Sequence, residues 1–235
     1  MPDSARFVDQ FDVILFDLMD TLMLGGNRFS ATQNYAETYH QLGGTLHSPT
    51  VVQGLIVGLH QTMNAHYEDP AWYENFRPAS TYLAHLLTRQ GLPHTDAARL
   101  HDVFAHHELG HIPTAFCHTL RQLATTHRLG LVSNLWSEKA HFEAVFHQNQ
   151  IHHLFDTLVF SSDYAIIKPS PKLFRRALAA FGVPPHRVLF VGDSPDRDMA
   201  GAAALGLGTL LVNAGKPTPA YPGPQVRDVC ALLDA

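Results

Sequence analysis

Five short runs, almost wholly apolar, set the limits on this fold: Val13-Ile14-Leu15-Phe16, Leu129-Gly130-Leu131-Val132, Leu158-Val159-Phe160, Val188-Leu189-Phe190-Val191 and Thr209-Leu210-Leu211-Val212. A strand with one wet face alternates apolar and polar residues; a strand covered on both faces has no reason to. Helix-like segments separate the runs. One covers Thr114 to His127, and two others open at Ser170-Pro171 and Ser194-Pro195. In both of these a capping side chain precedes a proline at the first helical position, where the missing N–H costs nothing. This alternation predicts an α/β fold with a doubly wound parallel sheet.

Residues 25–110 have a different texture. They contain no clear strand, and Ser30, Gly43-Gly44, Ser48-Pro49, Asp69-Pro70, Gly91 and Gly110 mark helix ends. Val51, Val52, Leu55, Ile56 and Leu59 recur at helical spacing. The stretch therefore reads as a helical bundle inserted after the first strand, with residues 1–24 and 111–235 forming the core. Lys216 to Pro224 reads as a proline-rich loop leading to a short closing helix, Val226 to Leu233. No repeat or low-complexity segment is visible.

With 235 residues, 46% of them hydrophobic, the chain can bury a sizeable core. Only 16% are charged and the net charge is -5, so no basic stripe points to nucleic acid or an anionic membrane. Cys117 and Cys230 are too few for a disulfide framework, and the N-terminal acids Asp3, Asp9 and Asp12 do not suit a signal peptide. A cytoplasmic protein acting on a small molecule is the expectation; oligomeric state is not legible.

In an open parallel sheet, ligands bind beyond the carboxyl ends of the strands. Four polar clusters stand at such ends: Asp17 after the first run, Ser133-Asn134 after the second, Lys168 beyond the third, and Asp193 with Asp198 after the fourth. Taken singly, each is ordinary. Asp, Ser and Asn are turn formers, a lone lysine is a solvated charge, and acids suit a first helical turn. Their order at four successive strand ends is what points to a site. Arg28, just beyond Gly25-Gly26-Asn27, is close enough to the first strand to reach an anionic substrate, although it reads equally as a solvated arginine.

The run Asp17-Leu18-Met19-Asp20-Thr21 resembles the first motif of the haloacid dehalogenase superfamily, D-x-D-x-T. Ser133-Asn134 resembles the second motif, Lys168-Pro169 the third, and Gly192-Asp193-Ser194 with Asp198 the fourth. The resemblance covers nearly the whole chain and makes residues 25–110 a helical cap. It implies Asp17 as nucleophile, with Thr21, Ser133 and Lys168 as further catalytic residues and Asn134 near substrate. It also implies Mg²⁺ held by Asp17, Asp193, the backbone carbonyl of Met19 and, through water, Asp198. One position departs from the pattern. The family's phosphatases use the second Asp as general acid/base, and Met19 carries no transferable proton.

The implied activity is therefore Mg²⁺-dependent hydrolysis of a small phosphorylated metabolite through an aspartyl intermediate, without the acid that typically contributes about 10²–10⁴-fold in rate. Asp20 is one residue out of step and is not expected to substitute. Two alternatives remain open: a dehalogenase-like hydrolase in which Asp17 attacks carbon, and a catalytically impaired phosphate-ligand-binding protein. Schiff-base chemistry from a cap lysine is ruled out, because no lysine precedes Lys139. His107-Glu108-Leu109-Gly110-His111 matches the zinc-protease pattern H-E-x-x-H, but Thr114 and Cys117 fill the places of its longer form and Gly110 and Pro113 end the helix. A chance match among 17 histidines is the better reading.

Overall fold

The computed structural model describes residues 6–30, 32–216, 218 and 221–234. Among these, six strands form one parallel sheet in the order β3-β2-β1-β4-β5-β6. They are β1 (Val13–Phe16), β2 (Arg128–Ser133), β3 (Phe155–Phe160), β4 (Val188–Gly192), β5 (Gly208–Val212) and β6 (Gln225–Val226). In β1, Ile14 and Phe16 pack on one face against Phe116, Leu120, Phe142 and Phe146. Val13 and Leu15 pack on the other, against Leu173, Phe174 and Ala177. The four successive apolar residues of β1 thus serve two cores, each contributing about 1.5–3 kcal/mol on burial. The first of these faces is covered by α5 (Thr114–Leu123) and α6 (Lys139–Gln148).

Between β1 and α5 lie α1 (Tyr35–Gln41), α2 (Pro49–Glu68), α3 (Ala79–Arg89) and α4 (Ala97–Glu108). Asn34 caps α1 by accepting from Glu37 N at 3.1 Å, and Ser48-Pro49 caps and opens α2. These helices share their own core of Tyr39, Leu55, Ile56, Leu83, Val103 and Phe104, joined by Ile167 from the loop after β3. The chain leaves and re-enters side by side: Leu24 N donates to His111 O at 2.8 Å, and His111 N to Leu24 O at 2.9 Å. A Cβ at Gly110 would sit 2.3 Å from Leu24 O, so that crossing requires glycine. Further backbone bonds tie the bundle to the sheet's loops, among them Ala79 N to Trp136 O (2.6 Å) and Ile167 N to Tyr73 O (2.8 Å).

α7 (Pro171–Leu178) starts where Ser170-Pro171 predicts, with Ser170 capping Lys172 N. The segment after Ser194-Pro195 is one turn of π-helix, Pro195–Met199, continued by α8 (Ala200–Ala203). Two expectations fail in detail. α5 stops at Leu123 rather than His127, where the backbone tightens into turns with Thr125 N donating to Gln122 O and Thr126 N to Leu123 O, both at 3.1 Å. The closing helix gives way to β6, where Val226 pairs with Val212 on the sheet edge, followed by a 3₁₀ segment, Val229–Leu233. Of the expected 216–224 loop, residues 217, 219 and 220 lie outside the described residues, as do residues 1–5 at the start of the chain. No helix among the described residues is long and apolar enough to cross a membrane.

Candidate active site

Strand order reverses at β1, with β2 on one side and β4 on the other. Crossover connections diverge there and leave a crevice at the carboxyl ends. A cavity of 340 Å³ occupies it, lined by Asp17, Met19, Asp20, Asn134, Lys168, Asp193 and Asp198 from the core side. The bundle closes it with Phe29, His60, Asn64, Tyr67 and Glu68.

Asp17 leaves the sheet with its N–H still bonded to Val191 O at 2.8 Å, which fixes the side chain at the floor. Its carboxylate lies with those of Asp193 and Asp198, one oxygen from each falling within 4.8 Å of the others. Lys168, itself buried, reaches Asp17 at 2.5 Å and Asp198 at 2.6 Å. Asp198 Oδ2 also accepts from Ser194 N at 3.0 Å. A Cβ on Gly192 would lie 2.4 Å from that oxygen, so glycine there lets the carboxylate fold under the strand end.

The electrostatics follow from crowding. Burial, with Asp198 adding to it, pushes Asp17 up to about 6 even though Lys168 pulls it down. Asp193 rises to about 8 through burial and the repulsion of Asp17 and Asp198. Lys168 stays firmly charged, because the two carboxylates outweigh its desolvation. One lysine among three carboxylates leaves an excess of negative charge. Clustered hard oxygens of this kind suit Mg²⁺.

Ser133 and Thr21 are buried and are not among the residues that line the cavity; neither hydroxyl has a hydrogen-bond partner among the described residues. Asn134 acts as a clamp: its Oδ1 accepts from Lys168 N at 2.8 Å, and its Nδ2 donates to Lys168 O at 3.3 Å and to Tyr67 Oη at 3.1 Å. The Met19 methyl lies toward the root of the bundle, 2.6 Å from where a Cβ on Gly26 would be. Asp20 lines the cavity with a positive φ of 56°.

Arg28 does not go where its sequence position suggests. It donates to Gly25 O (3.0 Å), Leu109 O (2.6 Å) and His106 O (2.5 Å) and does not line the cavity. The carbonyls at the end of α4 have no partner within the helix, and a guanidinium fork meets them well. The H-E-x-x-H match is likewise structural. Glu108 accepts from Trp136 N (2.7 Å) and Ser137 N (2.8 Å), and His107 Nε2 bonds Thr38 Oγ1 at 3.0 Å.

Sequence reasoning overlooked the cavity's second cation. Arg197 stacks 3.7 Å over the Tyr67 ring and donates to Tyr67 O at 2.9 Å and Lys168 O at 3.3 Å. Its place inside the fourth polar cluster was the available signal. His60, Asn64 and Tyr67 were also overlooked, although they form a polar stripe at helical spacing along α2. His60 lies between Phe29 (4.6 Å) and Trp136 (5.5 Å), making an aromatic wall opposite the carboxylates.

The family description haloacid dehalogenase-like hydrolase matches residues 11–206. The chain is similar to the phosphoserine phosphatase of Thermus thermophilus, 40% identical over 76 residues, or 32% of this chain and 30% of that one. It is also similar to the glyceraldehyde 3-phosphate phosphatase of Pyrococcus abyssi, 29% identical over 137 residues, or 56% of this chain and 57% of that one. The chain thus spans about a third to just over half the length of these relatives. Among solved structures, a HAD phosphatase from Thermococcus onnurineus is 20% identical with a TM-score of 0.65, and the match covers 95% of this chain and 97% of that one. A 2-haloacid dehalogenase from Pseudomonas syringae pv. Tomato DC3000 is 24% identical with a TM-score of 0.66 at the same coverage. The fold is common to both.

Proposed function

This chain belongs to the haloacid dehalogenase-like hydrolases, and from that premise we propose that it hydrolyses a small phosphorylated metabolite with Mg²⁺ through an adduct on Asp17. The observation that carries the proposal is the carboxylate at position 193. It completes a trio with Asp17 and Asp198 around a buried lysine. Attack on carbon needs no such excess of negative charge. A phosphate ester approaching Asp17 does need a cation. Asp17, Asp193 and the Met19 carbonyl would hold Mg²⁺, with Asp198 supporting it, and the ion when bound would neutralise the approaching phosphoryl group.

The chain's own residues do the rest. An Asp17 oxygen attacks phosphorus, the ester oxygen leaves with its electron pair, and water then displaces the phosphoryl group to return free Asp17 and inorganic phosphate. Lys168 Nζ, already beside Asp17, offsets charge on the phosphoryl oxygens. The Ser133 hydroxyl, buried without a partner, is available to donate to one of them. Asn134 positions Lys168 by gripping both its backbone groups. With Met19 supplying no proton, the substrates served best have leaving groups stable as anions, such as aryl or acyl phosphates. The wall of Phe29, His60 and Trp136 suits a planar group at that end. A cytoplasmic setting fits the free thiols of Cys117 and Cys230.

The dehalogenase-like reading keeps one observation in its favour: Met19 is a side chain with nothing to protonate. A panel of aryl, acyl and alkyl phosphates and haloacids, with and without Mg²⁺, separates the two readings. Metal-dependent turnover of activated phosphates, abolished in Asp17→Asn, is the expected result. Metal-independent release of halide would replace the proposal, and turnover of neither class by a folded protein would leave a binding role.

A further inference from the structure

A second group of metal-ligand side chains lies away from the cavity, where the inserted bundle meets the core. α4 contributes His101 and Asp102. The start of α6 contributes Glu138 and His141, whose i, i+3 spacing puts them on one face. One ligand atom each from His101, Asp102 and His141 falls within 4.8 Å of the others. His141 Nε2 is 3.7 Å from Asp102 Oδ1, and His101 Nε2 is in contact with Glu138 Oε2. The two imidazoles are 5.3 Å apart and tilted by 54°, so they are not held as a stacked pair.

The decisive feature is at His101. The residue is only 8% exposed, and its Nε2 is held against Glu138 Oε2, the carboxylate–histidine pairing that orients a metal-ligating imidazole. The ligand atoms of His101, Asp102 and His141, all within 4.8 Å of one another, are close enough to be bound together by one cation. Two imidazoles with carboxylates match the ligand preference of Zn²⁺ and similar transition metals; Mg²⁺ prefers oxygen alone.

We propose that His101 and His141, with Asp102 and Glu138, form a transition-metal site of the Zn²⁺ class on the seam between α4 and α6. The site shares no residue with the cavity and does not depend on the reaction proposed there. Its consequence would be mechanical. α4 ends at Glu108, which holds the amides of Trp136 and Ser137, and Glu138 follows directly. A metal at this point would lock the bundle to the loop that carries Asn134 and Trp136 and so fix how the cavity is closed.

The test is calorimetric titration of Zn²⁺ into the chelator-stripped full chain under excess Mg²⁺, paired with thermal melts. Wild type should bind one tight equivalent and melt higher with Zn²⁺. His141→Ala should weaken that binding at least ~10-fold, since even outer-shell partners of a metal contribute about 10–100-fold. Asp193→Asn should leave Zn²⁺ affinity within about 2-fold of wild type, because it belongs to the other site. Asp102→Asn, at an exposed position, provides a second variant should His141→Ala fail to fold, and it too should lose most of the Zn²⁺-induced rise in melting temperature. Wild-type Zn²⁺ affinity in either folded variant of this cluster, or its loss in Asp193→Asn, would overturn the site.

Discussion

Replacing Met19 by Asp asks whether this cavity lacks only a proton donor. The thioether runs from the floor beside Asp17 toward Gly26 at the root of the cap. An aspartate there is shorter, so its carboxyl would end nearer the cavity than the methyl does. A positioned acid is worth about 10²–10⁴-fold, or roughly 2.7–5.5 kcal/mol of barrier. Two costs reduce that. Met19 packs against the core, and losing a partly buried side chain costs about 1–3 kcal/mol of stability without touching chemistry. A further carboxylate also joins Asp17, Asp193 and Asp198, two of which are already pushed up to about 6 and about 8 by burial and mutual repulsion. The added charge opposes turnover unless Mg²⁺ is bound. The net expectation for Met19→Asp is a gain of about 10–10²-fold in kcat/KM for alkyl phosphates at saturating Mg²⁺. Aryl phosphates need no protonation and should change by less than about 3-fold. The assay is phosphate release from one substrate of each kind, across a Mg²⁺ series. A folded, Mg²⁺-binding variant with no gain on the alkyl substrate would refute the reasoning.

Two further outcomes follow from the same charges and contacts. Because Asp17 and Asp193 are raised in the folded protein, the native state holds more protons than the unfolded chain between about pH 4 and pH 8, so metal-free stability should fall as pH rises through that window. Melting curves should show Mg²⁺ raising Tm more at pH 8 than at pH 5, and Asp193→Asn flattening the metal-free decline; an equal Mg²⁺ effect at both pH values would contradict this. Arg28→Ala removes three bonds to backbone carbonyls near the end of the cap's last helix, so it should lower stability by about 1–3 kcal/mol in denaturant titrations with KM little changed. A large rise in KM at unchanged stability would return Arg28 to the substrate.

The parallel strands were legible because their burial is two-sided. Val13 to Phe16 serve two cores, and no polar residue interrupts them. Helix starts were legible at Ser48-Pro49 and Ser170-Pro171, where a cap and a proline coincide. The tightening of α5 into turns after Leu123 left no periodic trace, and the pairing of Val226 depends on a sheet edge that exists only after folding. Around the cavity, residues at strand ends could be located because topology brings those ends together. Tyr67 and His60 could not, because their position depends on how α2 packs over the sheet; Arg197 lies in the fourth cluster, but the Tyr67 ring it stacks on is on α2. Arg28 shows the converse: nearness in sequence to β1 says nothing about which acceptors compete for its guanidinium.

The central claim is that Asp17 attacks phosphorus in a site with no side-chain acid at position 19. The missing acid should slow the second step, attack of water on the adduct, at least as much as the first, so the adduct should accumulate. Acid-quenched turnover of para-nitrophenyl phosphate with Mg²⁺, followed by peptide mass mapping, reads this directly. The account predicts one added phosphoryl group on the peptide containing Asp17, formed in a burst of para-nitrophenol and absent from Asp17→Asn. Hydrolysis that continues with Asp17 never phosphorylated, or with the phosphoryl group on another residue, would contradict it.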